Sequence, residues 1–540
     1  MKFFYFYLIS YSIIGYGFLL TKFLKIRFFD FGSLGILGIT VVSIISFISS
    51  IFFKHGFYFN SIILLLGLSF FVFNLIKSNQ IKQEILNHFI IFFILCIFIV
   101  LAKNHDDFPY YHFPYISIIT EFSHPIGLGQ LNNGFRSPSS IFFVSSLFYL
   151  PYVDIYLFHI TPALILGFVN LILIKNIFDK DIFNEKKIVN FLSLATLIFI
   201  NIIFYRLAEH GTDRSGMILI ILAMIFFVSL VNDYQNSKSL DEMKFLIICI
   251  CFVSTLKPFY LLNFIFFSIF LINPILRKNF FDLFFTRTFY FCLLLIFSII
   301  FYTFINSACL IFPINNTCFE NLPWSLNKDY IQEVKIWFEL WSKAGANPNY
   351  VVEDSIRYIS GLNWIPNWIN EYFFNKVLDY LLGIILLSLI FILSFFKKKK
   401  KVSLPKKNGF WALFFIIIIL LIEWFYNHPA LRYGGYHLIF LAILMPICMF
   451  LSRINFDYNF FLKRATTLIL VTIVIFIFRN YQRLEVEFER YNFNPIINSN
   501  YKFTENEEFY YRHNNQIKEN LSNYSKLSFF GKKILIISNK

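Results

Sequence analysis

Long apolar runs recur along the whole chain, and they limit its fold more than any other feature. They lie near residues 3–21, 32–53, 57–76, 87–102, 152–174, 188–205, 215–231, 245–273, 288–305, 376–396, 409–426, 434–451 and 465–478. Crossing a ~30 Å hydrocarbon layer takes about 20 apolar residues at ~1.5 Å each. Backbone groups in lipid must bond within their own segment, so such runs become helices. The run 245–273 is too long for one span and contains Lys257-Pro258. Proline lacks a backbone donor and restricts the residue before it, so two short helices meeting at Lys257 are expected there. The reading is an all-α polytopic membrane protein with about 12–14 transmembrane helices and an extracytoplasmic loop insertion. Composition agrees: 58% of the 540 residues are hydrophobic and only 15% charged, too few charges for a soluble chain of this size.

The net charge of +15 would suggest a nucleic-acid partner in a soluble protein. Here the basic residues sit in short loops, so nucleic acid is set aside. One alternating set of loops holds Lys22, Lys25 and Arg27; Lys77 and Lys82; Lys175, Lys180, Lys186 and Lys187; Lys238 and Lys244; Arg277, Lys278 and Arg287; Lys397 to Lys401 with Lys406 and Lys407; and Arg453, Lys463 and Arg464. Cationic loops resist translocation, which places this set in the cytoplasm. The opposite set then faces out: 103–138, 206–214, 306–375, 427–433 and the tail 479–540. The chain divides into N-terminal helices 1–102, an outer loop 103–151, a transmembrane core 152–305, an outer insertion 306–375, C-terminal helices 376–478 and the polar tail 479–540, which folds weakly or not at all. Segment 139–150 is too short to cross and is expected to lie at the interface. The first run is too long for a convincing cleavable signal, and the expected location is the bacterial inner membrane, multi-pass.

Ionisable residues gather on the outer set. His105-Asp106-Asp107 follows the fourth run, where a helix C-terminus is a poor place for paired carboxylates. Either they simply meet water, or a cation, a metal or a substrate hydroxyl compensates them. In the second case one acts as general base and the other orients the acceptor or holds a divalent ion such as Mg or Mn. His112 continues that loop. Further on, Arg136 stands beside a helix start that Ser137 or Ser139 can cap, a weak signal for phosphate. In Arg206 to Ser215, Thr212 or Asp213 is read as the N-cap of the next helix, and Glu209 and His210 are the better functional residues. Lys257 either faces a partner or wet cavity, or snorkels to the interface. His428 and Arg432 lie in a tight turn. Arg432 is either a phosphate fork or an interfacial anchor beside Tyr433.

Five of the seven cysteines lie inside apolar runs and read as small core residues. Cys309 and Cys318 flank a polar loop and can pair if that loop faces out. Trp324, Trp337, Trp341, Trp364 and Trp368 suggest that 306–375 caps a site. Tryptophan stacks on sugars but also anchors at interfaces, the role expected of Trp364 and Trp368. Nucleotide, dinucleotide, nucleophile-elbow and zinc-protease motifs are absent.

The segment His105-Asp106-Asp107-Phe108-Pro109-Tyr110-Tyr111-His112, together with Glu209-His210-Gly211-Thr212-Asp213, Thr255-Leu256-Lys257-Pro258-Phe259 and the later outer insertion, resembles the GT-C superfamily of membrane glycosyltransferases, and within it the uncharacterised bacterial polytopic proteins grouped there. The resemblance spans roughly 87–451. It implies inverting transfer of a sugar from a polyprenyl-phosphate carrier to a glycan, lipid or protein acceptor on the outer face, with Asp106 or Asp107 as base or metal ligand. Here the acidic pair is adjacent and follows the fourth span, whereas the family's pair is often spaced by one residue after the first. The rival classes are a polysaccharide polymerase or ligase of the O-antigen type and a non-catalytic carrier. A carrier should place its ionisable residues at mid-membrane, which the outer clustering disfavours.

Overall fold

A computed structural model describes residues 1–27, 30–76, 81–101, 107–207, 211–232, 238–347, 349–396, 408–455, 457–491, 519, 527–529 and 532–534. Among them, 12 helices are long and apolar enough to cross a membrane: Lys2–Leu24, Phe31–Phe52, Phe57–Ile76, Gln83–Val100, Thr161–Phe178, Lys180–Ile203, Gly211–Val231, Arg287–Ser307, Ile365–Phe395, Gly409–Asn427, Gly435–Ser452 and Tyr458–Val486. The protein is a multi-pass α-helical membrane protein. Its strands among the described residues form one antiparallel hairpin in the tail, Leu527–Phe529 with Lys532–Ile534. The last helix also carries further into the tail than the apolar run suggests, ending at Tyr491.

The long run 245–273 breaks where proline demands it. Helix Lys238–Ser254 ends, Lys257 is extended at φ −156° and ψ 141°, and a 3-10 segment starts at Pro258. Elsewhere, small residues set the packing. A Cβ on Gly15 would land on the Gly67 carbonyl and one on Gly38 on the Ile13 carbonyl, so Lys2–Leu24 lies directly against Phe31–Phe52 and Phe57–Ile76. The innermost span, Gly211–Val231, is almost wholly buried, whereas Phe57–Ile76 presents an apolar surface suited to lipid.

The two sets of loops form two faces. On one, Lys175 pairs with Asp30 at 3.3 Å, Lys244 donates to the Leu24 carbonyl at 3.1 Å, Arg287 to the Phe23 carbonyl at 3.1 Å and Lys187 to the Ile454 carbonyl at 3.4 Å. On the other, the His55 amide donates to Ile119 at 3.0 Å, His124 to Ser50 at 2.7 Å and Gly127 to Ile305 at 2.7 Å. Arg479 donates to Ile202 on the same side. The alternation of charged loops is therefore matched by their contacts. Segment 139–150 departs from expectation: helix Ser140–Ser146, capped by Ser139, is buried along its whole length. Its serines explain this, since Ser145 and Thr161 share a bond at 2.7 Å, Thr255 donates to Ser140 at 2.8 Å, and Ser146 meets His55 at 2.6 Å.

Candidate functional site

Four charged residues that are remote in sequence meet on the second face. Asp107 opens the helical stretch that runs through Phe108–His112 and Phe113–Glu121. It therefore sits at a helix N-terminus, where the dipole favours negative charge, and not at the C-terminus the sequence suggested. Asp213 lies in the first turn of Gly211–Asn232, Lys257 at the broken helix, and Arg432 in the 3-10 turn Leu431–Tyr433. Arg432 bridges both acids, with Nη2 donating to Asp107 Oδ2 at 3.0 Å and Nε to Asp213 Oδ2 at 3.2 Å. Lys257 Nζ stands 3.6 Å from the other oxygen of Asp213. Arg432 is thus the cation that compensates Asp107.

Exposure is graded across this chain of charges. The Asp213 side chain is 5% exposed, Lys257 22%, Asp107 28% and Arg432 33%. Burial opposes the charge of Arg432, but Asp213 first, followed by Tyr433 and Asp107, holds the guanidinium protonated well above its usual value. The Tyr433 hydroxyl is pushed up to about 12 by burial, with Arg432 and Lys257 pulling the other way. Tyr111 is raised further, first by burial and then by Asp107. Tyr260 donates its hydroxyl to the Asp213 carbonyl, and Thr212 Oγ1 lies 3.4 Å from Asp213 Oδ1.

The turn that carries Arg432 is fixed by hydrogen bonds to aromatic side chains. Trp368 Nε1 bonds the Pro429 carbonyl at 3.0 Å, Trp424 Nε1 the Ala430 carbonyl at 2.9 Å, and the Tyr372 hydroxyl accepts from the Leu431 amide at 2.9 Å. Trp364 and Trp368 are accordingly buried among Phe425 and each other, which corrects their expected role as interfacial anchors. The insertion closes over the turn. Helix Lys328–Lys343, capped by Asn327, brings Trp341 to 5.5 Å from Tyr433, and the guanidinium of Arg432 lies 5.5 Å from the Trp341 centroid and 5.8 Å from that of Tyr433. Cys309 and Cys318 form a disulfide at the base of this insertion.

The remaining sequence-derived residues are placed differently. Arg136 is buried, donating to the Gly129 carbonyl at 3.1 Å and the Tyr330 hydroxyl at 2.8 Å, and it lies over the Phe312 and Tyr330 rings. It ties the 127–136 loop to the insertion, and burial lowers its proton affinity from the usual arginine value. Gln130 does the same, donating to the Trp324 and Ser325 carbonyls at 2.8 and 3.1 Å. His112 is buried against Tyr111 and Phe142. The His428 ring faces Tyr433 at 5.9 Å, and burial, offset by Glu339 and reinforced by Lys343 and Lys335, lowers its proton affinity. Asp106, Glu209 and His210 lie outside the described residues. Among the described residues no cluster of three His, Cys, Asp or Glu has the layout of a metal site. Asp213 and Tyr433 are the members that sequence reasoning passed over, whereas Trp341 stands among the tryptophans expected to cap the site. Asp213 was read as a cap, but its carboxylate is spent on Arg432 and Lys257.

The fold and this cluster define a multi-pass helical membrane protein with a capped, charge-paired site on one face. The chain belongs to the family described as Domain of unknown function (DUF8201), whose profile matches residues 1–440 and so includes all four charged residues. No curated protein and no solved structure matches it.

Proposed function

We propose that the protein is a membrane glycosyltransferase of the GT-C kind, moving a sugar from a polyprenyl-phosphate-linked donor to an envelope glycan, lipid or protein acceptor on the extracytoplasmic face of a bacterial inner membrane. The observation that carries this reading is the partly exposed Arg432 held beside Asp107 under an aromatic lid, at the membrane end of the helices. A phosphate on a lipid tail reaches that depth, and a guanidinium offers it paired donors. The hydrogen bonds to the two acids use Nε and Nη2, leaving Nη1 outside them. Trp341, beside Arg432, offers an apolar face of the kind on which a sugar ring stacks.

In the transfer, the acceptor oxygen forms a bond to the sugar's anomeric carbon as the carbon–oxygen bond to phosphate breaks. The electron pair leaves on the phosphate oxygen, facing Arg432 and Lys257, and the acceptor proton passes to Asp107. Lipid phosphate is its own leaving group, so no nucleotide is consumed. A disulfide at Cys309–Cys318 suits an oxidising compartment and supports placing this face outside the cytosol.

The test is replacement of Asp107 by Asn and Arg432 by Lys in the native host. Insertion should be normal, surface glycan should fall at least tenfold and lipid-linked sugar should accumulate. Unchanged glycan from both correctly inserted variants would end the proposal.

A further inference from the structure

We infer that Asp107 is a placeholder for the donor's phosphate on Arg432, and that donor binding exchanges one anion for the other and so sets the carboxylate free to act as base. The inference rests on the transferase reading and deepens it. Two carboxylates and two cations cancel in the resting cluster, so an incoming phosphate meets a site whose guanidinium is already engaged. Nη1 lies outside both hydrogen bonds, but a phosphate that takes Nη1 and Nη2 as a pair requires that the carboxylate on Nη2 yield.

The two acids differ in how readily they can. Asp213 is nearly buried, bonds Arg432 through one oxygen and faces Lys257 with the other, and has its own carbonyl held by Tyr260. Its removal would take from Lys257 the carboxylate it faces and from Arg432 the better buried of its two acids. Asp107 is 28% exposed and meets the outer nitrogen, Nη2. When it leaves, Arg432 keeps Asp213. The guanidinium itself stays in place, because Asp213 holds Nε and the Trp341 and Tyr433 rings pack beside it, their centroids 5.5 and 5.8 Å away. Phosphate and carboxylate oxygens accept from a guanidinium with the same geometry, so the exchange needs no rearrangement of the turn.

The arrangement also protects the chemistry. While paired, Asp107 is a poor base, since a neighbouring guanidinium favours its ionised form. Only a site holding donor phosphate has a carboxylate ready for an acceptor proton. Water entering an empty site meets no activated base.

The test uses the full-length protein in nanodiscs, with farnesyl monophosphate and inorganic phosphate as probes. Asp107→Asn removes the competitor, so farnesyl phosphate should bind roughly fivefold more tightly than to wild type, the equivalent of one partly exposed ion pair. Inorganic phosphate should follow the same order more weakly if the headgroup alone is recognised. In the wild type, farnesyl phosphate should increase modification of Asp107 by a water-soluble carbodiimide, because a carboxylate that leaves a guanidinium is more readily protonated. Wild-type binding that Asp107→Asn leaves equal or weakens, or carbodiimide labelling of Asp107 that stays level or drops with ligand, overturns the exchange and leaves the transferase reading standing. Failure of both the wild type and Asp107→Asn to bind farnesyl phosphate overturns both.

Discussion

Replacing Asp213 with Asn tests whether the cluster is a coupled unit. The amide keeps the volume, and the backbone carbonyl that receives Tyr260 is untouched. Only the charge is lost. At an effective dielectric near 20, unit charges at the observed 3.2 Å attract by about 5 kcal/mol. One third of Arg432 remains exposed and Asp107 still faces it, so water and the second acid recover part of that energy. The neutral amide also escapes the cost of burying a carboxylate. A net destabilisation of roughly 2–3 kcal/mol follows, below the ~3–5 kcal/mol for breaking a fully buried pair because Arg432 is partly exposed and keeps Asp107. The assay is reversible unfolding of the purified protein in mixed micelles, run as a double-mutant cycle with Arg432→Gln. The two single changes should be non-additive by about 1 kcal/mol or more, because each removes the same contact. Additive losses, or an Asp213→Asn protein within about 0.5 kcal/mol of wild type, would show that the 3.2 Å contact carries no energy and that Arg432 is positioned by Asp107 and its aromatic neighbours instead.

Lys257→Met should cost less than Asp213→Asn, about 1 kcal/mol in the same assay, since Asp213 keeps Arg432 and the lysine is 22% exposed. Gly216→Ala should destabilise by roughly 1–3 kcal/mol although it touches no charged group, because the added methyl falls inside the Tyr260 ring; an unchanged melting temperature would refute this. Changing Cys309 or Cys318 to Ser should lower the insertion's stability by roughly 2–3 kcal/mol and expose 308–343 to limited proteolysis, while the spans stay protected. His55, buried between Ser49 and Ser146 with its proton affinity lowered by burial to about 3, gives a pH dependence. Its folded value lies below the unfolded one of ~6.5, so the unfolded chain binds the extra proton and stability falls as pH drops through the window from ~6.5 towards ~3. At pH 4.5 the loss attributable to this residue should be about 2–3 kcal/mol, and His55→Gln should flatten that part of the melting profile.

What the sequence made legible was one-dimensional. Runs of apolar residues announce helices because lipid leaves the backbone no other partner, and Lys257-Pro258 announced a break because proline's restriction is local. The two faces were readable for the same reason, as loop charge is a property of single segments. The site was half readable. Asp107, Lys257 and Arg432 were flagged individually by their cost or position at the membrane edge, yet nothing local says that Arg432 bridges Asp107 to Asp213 across 325 and 219 residues of chain. Asp213 was hidden by its own setting, since an acid in the first helical turn has a sufficient local explanation as a dipole partner or cap. The signal against that explanation was available: Asp213, Arg432 and Lys257 each stand at the same end of a span, and isolated charges at that depth seek one another. The misplaced elements err in the same direction. Trp368 and segment 139–150 look interfacial by composition, but each carries a polar group whose partner is a distant part of this chain: the Pro429 carbonyl for Trp368, and Thr255, Thr161 and His55 for the serines. In a membrane protein whose outer loops interlock, an amphipathic signal near a span reads equally as lipid surface or as buried junction. Only the long-range hydrogen bonds separate the two.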